Sequence, residues 1–152
     1  MAVAPLRSRA SDAQAAWFAR RVARTPDERL ARIMRGPQRG FWLAQVFRAM
    51  PRQLDAERAA GVEATIEYRI GGRRGGGHDH WQATVSQGRC RTSRAAREPA
   101  SVALTMDAVS FLKLVTGNAT GPRLFLTGRL EIAGNLALAM RLPSLFRVPD
   151  AD

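Results

Sequence analysis

The chain has 152 residues, 45% of them apolar and 24% charged, and a formal net charge of +11. That length fits one domain able to bury about two thirds of its unfolded surface, and that composition excludes a disordered chain. Cys90 is the single cysteine, which excludes an intramolecular disulfide and points to a reducing compartment.

The first seventeen residues hold no apolar stretch of signal-peptide length, and no apolar run approaches the roughly 18 residues of a membrane span. A soluble, cytoplasmic protein is expected. Residues 1–60 carry 12 basic and 5 acidic side chains, residues 61–99 carry 7 and 4, and residues 100–152 carry 5 and 4. The basic surface therefore belongs mainly to the first third. All basic residues but Lys113 are arginine, a skew that a GC-rich coding bias explains as well as a selected phosphate-binding surface does.

The chain opens with helical patterns. Ser11 is placed to cap a helix through Trp17, Phe18 and Val22. In "TPDE" at 25–28, Thr25 reads as an N-cap, Pro26 as the first helical position and Glu28 as the partner in a capping box. Leu30, Ile33 and Met34 mark the inner face of that second helix, which ends at Gly36-Pro37.

"GFWLAQVFRAMP" follows, with Phe41, Trp42, Gln45 and Val46 on one stripe and Leu43, Phe47 and Met50 on the next. Most of its circumference is apolar, so it needs partners on more than one side. Pro51 punctuates it, and a short helical or irregular stretch leads to Gly61.

From Val62 the apolar period becomes two: Val62, Ala64, Ile66, Tyr68 and Ile70, then, beyond "GGRRGGG", Trp81, Ala83 and Val85. This is a hairpin with a flexible loop. Gly88 turns the chain into a third strand, "RCRTS", with Cys90 and Thr92 on one side. A loop at "AAREPA" precedes a fourth strand, "SVALTM", and Asp107 caps the helix "DAVSFLKLVTGN". One helical turn from Pro122, the strand "RLEIAG" and an apolar last helix complete the chain.

No reaction centre stands out. "GGRRGGG" lacks the Gly-Lys-Ser/Thr ending of a phosphate loop and joins two strands instead of opening a helix. His78 and His80 supply two ligands where zinc needs three or four, so no metal and no cofactor is expected. Cys90 would need a base to act as a nucleophile, and strand alternation makes it a core residue as readily. Arg20, Arg21 and Arg24 are candidate phosphate contacts, but the aromatics lie on apolar helix faces and are not interleaved with arginine on a strand platform, so nucleic acid is not the expected partner.

The helices at 41–50, 109–115 and 135–142 own more apolar surface than a small sheet can cover. Dense core, a self-association surface and the wall of a ligand cavity all account for it, and periodicity does not choose among them.

The segment "DAVSFLKLVTGNATGPRLFLTGRLEIAGNLALAMRLPSLF" resembles the C-terminal signature of the SCP2-like (sterol carrier protein 2) sterol-binding family. The likeness extends less specifically over 62–92, so that it covers roughly residues 41–147. It implies an α+β domain with a curved, mainly antiparallel five-stranded sheet covered by helices on one face. It further implies that residues 41–152 form that lipid-binding domain, with residues 1–40 as a helical extension packed on it that looks like those of bacterial members.

The resemblance also implies non-enzymatic binding of a fatty acid, fatty acyl-CoA, sterol or isoprenoid in an internal apolar tunnel. Phe111, Leu112, Val115, Phe125, Leu136 and Met140 are the expected lining, with Trp42 and Phe47 behind them and Arg123 as a head-group contact. Two other readings stand beside this one: a small enzyme or accessory subunit acting on a hydrophobic metabolite, and binding of an anionic membrane or nucleic acid through the basic residues 7–39. The resemblance leaves the oligomeric state open.

Overall fold

A computed structural model describes the backbone of residues 4–94 and 98–147, with side chains from Asp12 onward. Six helices and five strands follow one another: α1 (Ala4–Arg24), α2 (Asp27–Arg35), α3 (Arg39–Gln53), β1 (Ala64–Gly71), β2 (Asp79–Ser86), β3 (Arg89–Arg94), β4 (Val102–Asp107), α4 (Ala108–Val115), α5 (Gly121–Leu126), β5 (Leu130–Gly134) and α6 (Leu136–Leu145). The loop expected at 95–100 lies, at 95–97, outside the described residues.

The five strands form one sheet in the order β3-β2-β1-β4-β5. Its pairings are antiparallel except for the central one, where β1 runs parallel to β4. The sheet is therefore mixed.

Strand alternation gives the sheet two unlike faces. Ala64, Ile66, Tyr68 and Ile70 of β1 are buried on one face together with Ala83, Val85, Leu104 and Met106. Helices α3, α4 and α6 pack on the strands, and α1 and α2 rest on α4. The other face is polar. There the buried Glu67 carboxylate accepts a 2.6 Å hydrogen bond from Arg69 Nε, and Gln82 Nε2 donates to the Glu98 carbonyl. Burial pushes the Glu67 pKa up, but the hydrogen bond and charge of Arg69 outweigh it and hold the group below its ordinary value.

Turn chemistry sets the strand order. Gln87 and Gly88 both have positive φ, 53° and 72°, the geometry that matches the twist of a two-residue hairpin. Asp107 Oδ1 accepts from Ser110 N at 2.7 Å and starts α4; Asn135 does the same for α6 through Leu138 N at 3.0 Å.

The N-terminal helices share the core. Val22, Leu30 and Met34 are buried within it, Asn118 Nδ2 donates to the Ala19 carbonyl at 3.1 Å, and Lys113 pairs with Asp27 at 2.5 Å. Two local expectations are corrected. Helix α1 already runs from Ala4, so Ser11 does not begin it. Thr25 Oγ1 donates to the Arg21 carbonyl at 2.6 Å and so closes α1, leaving α2 with Pro26 at its N-cap and no side-chain cap. Pro51 lies within the last turn of α3, which continues to Gln53.

Arg39 is the basic residue that charge counting misplaces. Its guanidinium is buried, bonded to Asp79 at 2.7 Å, to the Met34 carbonyl at 3.1 Å and to the Ile70 carbonyl at 2.7 Å. It ties the α2–α3 junction to the β1–β2 hairpin.

Candidate functional site: an apolar cavity between helices and sheet

Helix α3 explains how this fold makes room for a cavity. Leu43 and Phe47 turn fully into the core. There Phe47 stacks on Trp81, with centroids 4.5 Å apart and planes 3° from parallel, and on Phe111 at 5.2 Å. The neighbouring stripe, Phe41, Trp42, Val46 and Ala49, borders a cavity of about 580 Å³.

The floor of the cavity is one row of the sheet. Tyr68 of β1 pairs with Leu104 of β4, which pairs with Ile132 of β5, and all three line it. Leu114 and Val115 at the end of α4, Gly121 and Pro122 at the start of α5, and Ala139, Met140 and Leu142 of α6 form the side walls. Helix α1 supplies the remaining wall through Ala15, Trp17 and Phe18.

Three large apolar residues of the lining are open to solvent, Trp17 at 54%, Phe41 at 58% and Met140 at 48%, and they mark the mouth. At one end the chain after α6 pairs with the chain after α3: Arg147 N donates to the Gln53 carbonyl and Asp55 N to the Leu145 carbonyl, both at 2.7 Å. This clasp places Arg52, Gln53 and Arg147 on the cavity wall. Among the described residues lining the cavity there is no Asp, Glu, His or Cys.

The structure separates the residues singled out in the sequence. Trp42, Val115 and Met140 border the cavity. Phe47, Phe111 and Leu112 do not; they are buried on the inner faces of α3 and α4, because the phase of each helix turns these positions onto the sheet. Phe125 and Leu136 are exposed and outside the lining, as is Arg123, which sits one residue past the wall position Pro122.

Tyr68, Leu104 and Ile132 were legible as inward strand positions but not as a floor. Trp17 and Phe18 lie in a segment the resemblance did not reach. Cys90 is buried, which pushes its thiol pKa up to about 11, and neither it nor His78 and His80 lines the cavity. Among the described residues no group of three or more His, Cys, Asp or Glu side chains is placed to hold a metal, and no helix is long and apolar enough to cross a membrane.

An open mixed sheet with helices on one face and an apolar cavity between the two layers defines a small α+β domain built around an interior space. Residues 43–147 match the model of the SCP-2 sterol transfer family, and the chain belongs to that family. It is 29% identical over 114 residues to sterol carrier protein 2 of Rattus norvegicus, covering 73% of this chain and 21% of the rat protein. The chain thus spans about a fifth of the curated relatives it matches.

Among solved structures, sterol carrier protein 2 of Yarrowia lipolytica in its apo form aligns with a TM-score of 0.54 and 25% identity, over 67% of this chain and 84% of that one. The sec-alkylsulfatase Pisa1 of a Pseudomonas species contains the same fold within a larger enzyme, with a TM-score of 0.58 and 14% identity over 70% of this chain and 16% of the enzyme.

Proposed function

We propose that this protein binds one hydrophobic molecule, of the class of a fatty acid, fatty acyl-CoA, sterol or isoprenoid, in the cavity and carries or presents it without changing it chemically. The observation that carries this reading is the cavity itself: its volume falls in the range of small-molecule sites, and its walls are mainly apolar, with the charged side chains Arg52 and Arg147 confined to the clasp at one end. Residues 1–40 act as an extension that completes the wall through Trp17 and Phe18.

Burial of an acyl chain contributes about 0.8 kcal/mol per methylene, so ten methylenes supply roughly 8 kcal/mol before ordering costs, enough for micromolar binding. A carboxylate or phosphate would sit at the clasp beside Arg52 and Arg147, not at Arg123. The absence of acid, imidazole or thiol groups from the described lining favours binding over catalysis.

Titration with a fluorescent fatty acid, and native mass spectrometry of protein purified from its own host, test the proposal. Saturable one-to-one binding supports it; an unliganded protein that shows no saturation defeats it.

The mouth favours one further partner. Trp17 and Phe41 are exposed there, and the Arg21 guanidinium lies 5.8 Å from the Trp17 ring, an aromatic and cationic pairing suited to the interface of an anionic membrane. Loading and unloading of the cavity would take place against that surface.

A further inference from the structure

Tyr68 is the single tyrosine in the chain, and it stands in the middle of the cavity floor. Its ring is wedged edge-on between Phe47, at 5.4 Å, and Phe111, at 5.8 Å. Only 5% of the residue is exposed. The side chains of its cross-strand row, Trp81, Leu104 and Ile132, carry no oxygen. Among the described residues the phenol hydroxyl has no hydrogen-bond partner, and the residue lines the cavity.

Among the described residues Ser110 Oγ is the one fully enclosed side-chain oxygen or nitrogen without a partner, so the Tyr68 hydroxyl is not sealed in the core but opens on the cavity that the residue lines; Phe would fill the same volume against Phe47 and Phe111 but offer that space no polar group. The hydroxyl both donates and accepts, so it serves a carbonyl or another hydroxyl equally well. The charged groups of the lining, Arg52 and Arg147, are at the exposed clasp, so a carboxylate entering the floor would leave its counter-charge behind.

Resting on the cavity reading above, we infer that Tyr68 is the polar recognition point for a ligand that enters with a neutral oxygen foremost, a hydroxyl or carbonyl on an otherwise apolar skeleton. Sterols, isoprenoid alcohols and quinones share that chemistry. A fatty acid, with its carboxylate held at the clasp, leaves Tyr68 unused.

The test compares farnesol, its hydrocarbon counterpart farnesene, and palmitate as competitors for a fluorescent stearate on the full chain and on Tyr68→Phe. Tyr68→Phe weakens farnesol roughly ten-fold and leaves farnesene and palmitate within about two-fold. Equal farnesol affinity in both proteins overturns the inference, and so does an equal loss of all three competitors, which would report altered packing.

If palmitate binds and Tyr68→Phe is indifferent to farnesol, the cavity reading stands and this inference falls; if none of the three binds, both fall. Should Tyr68→Phe fail to fold, carbon-13 labelling of tyrosine in the wild-type chain gives a single ring-carbon resonance beside the hydroxyl. It shifts with farnesol and not with farnesene if the inference holds, and responds alike to both if it does not.

Discussion

Phe18 of α1 stacks on Trp42 of α3, with ring centroids 5.6 Å apart and planes 18° from parallel. Both rings line the cavity; Phe18 lies well before the segment that matches the family model, and Trp42 immediately before its first residue, 43, on the helix that continues into it. The contact joins the N-terminal helix to the family module at the wall where a ligand would rest. Phe18→Ala and Trp42→Ala should each destabilise by about 2 kcal/mol, with a coupling near 1 kcal/mol in a double-mutant cycle. Urea denaturation of the four proteins measures it, and simple additivity would mean that the stack does not fasten α1 to the wall.

The mouth makes a separate prediction about membranes. Arg21 and Arg24 lie on α1 outside the cavity lining, so replacing both with Glu alters the rim while leaving the interior as it is. Flotation with vesicles of phosphatidylglycerol and phosphatidylcholine should fall at least about ten-fold in the double variant, and wild-type binding should weaken as salt rises. Fatty-acid uptake in solution should be unaffected. Equal flotation on vesicles of phosphatidylcholine alone would reject an electrostatic contact.

The order of elements was readable because period and punctuation agree from Val62 onward: alternation in β1 and β2, Gly88 at the turn and Asp107 at the start of α4. The cavity lining was less readable, since a helix apolar around most of its circumference gives no sign of which stripe meets the sheet. Phe47 and Trp42 are five positions apart on α3, yet one is core and the other wall. Thr25 misled because its hydroxyl has two backbone groups in reach, and the Arg21 carbonyl behind it won over the amides ahead.

Arg39 shows the same limit for charge, because an arginine looks alike in sequence whether solvated or buried. Arg39→Met should cost about 3 kcal/mol and Asp79→Asn clearly less. The first removes the donor from two carbonyls as well as from the carboxylate, whereas the second takes away the carboxylate charge and leaves Arg39 bonded to the Met34 and Ile70 carbonyls. Thermal or urea unfolding decides the order; if the two variants are equally destabilised, the carbonyl bonds contribute nothing.

Gly134 ends β5 with a φ of 102° and lies so close to β4 that a Cβ would stand 2.6 Å from the Ser101 carbonyl oxygen. That oxygen already accepts from Asn135 N at 2.9 Å, so it is not free to retreat. Gly134→Ala should therefore destabilise by at least about 2 kcal/mol, against about 1 kcal/mol for Gly76→Ala, where the backbone is also left-handed but nothing lies within 4 Å. Similar losses at the two positions would show that backbone strain alone matters and that α6 is not held by this approach.

The pH dependence at the alkaline end follows from two groups on the covered face of the sheet. Burial pushes the Cys90 thiol up to about 11, and burial with the nearby Cys90 pushes the Tyr68 phenol up as well. In the unfolded chain the thiol ionises near its ordinary value of 9.0, while the folded chain still holds the proton. Stability from this group is thus complete below about pH 9 and is lost as pH rises toward 11, at a limiting slope of about 1.4 kcal/mol per pH unit. Cys90→Ala should flatten that part of the stability curve without changing it near neutrality, beyond the small packing loss. The native thiol should also react with iodoacetamide at pH 8 far more slowly than the urea-unfolded chain. Equal alkylation rates in the two states would place the thiolate within reach of solvent and remove the basis for the slope.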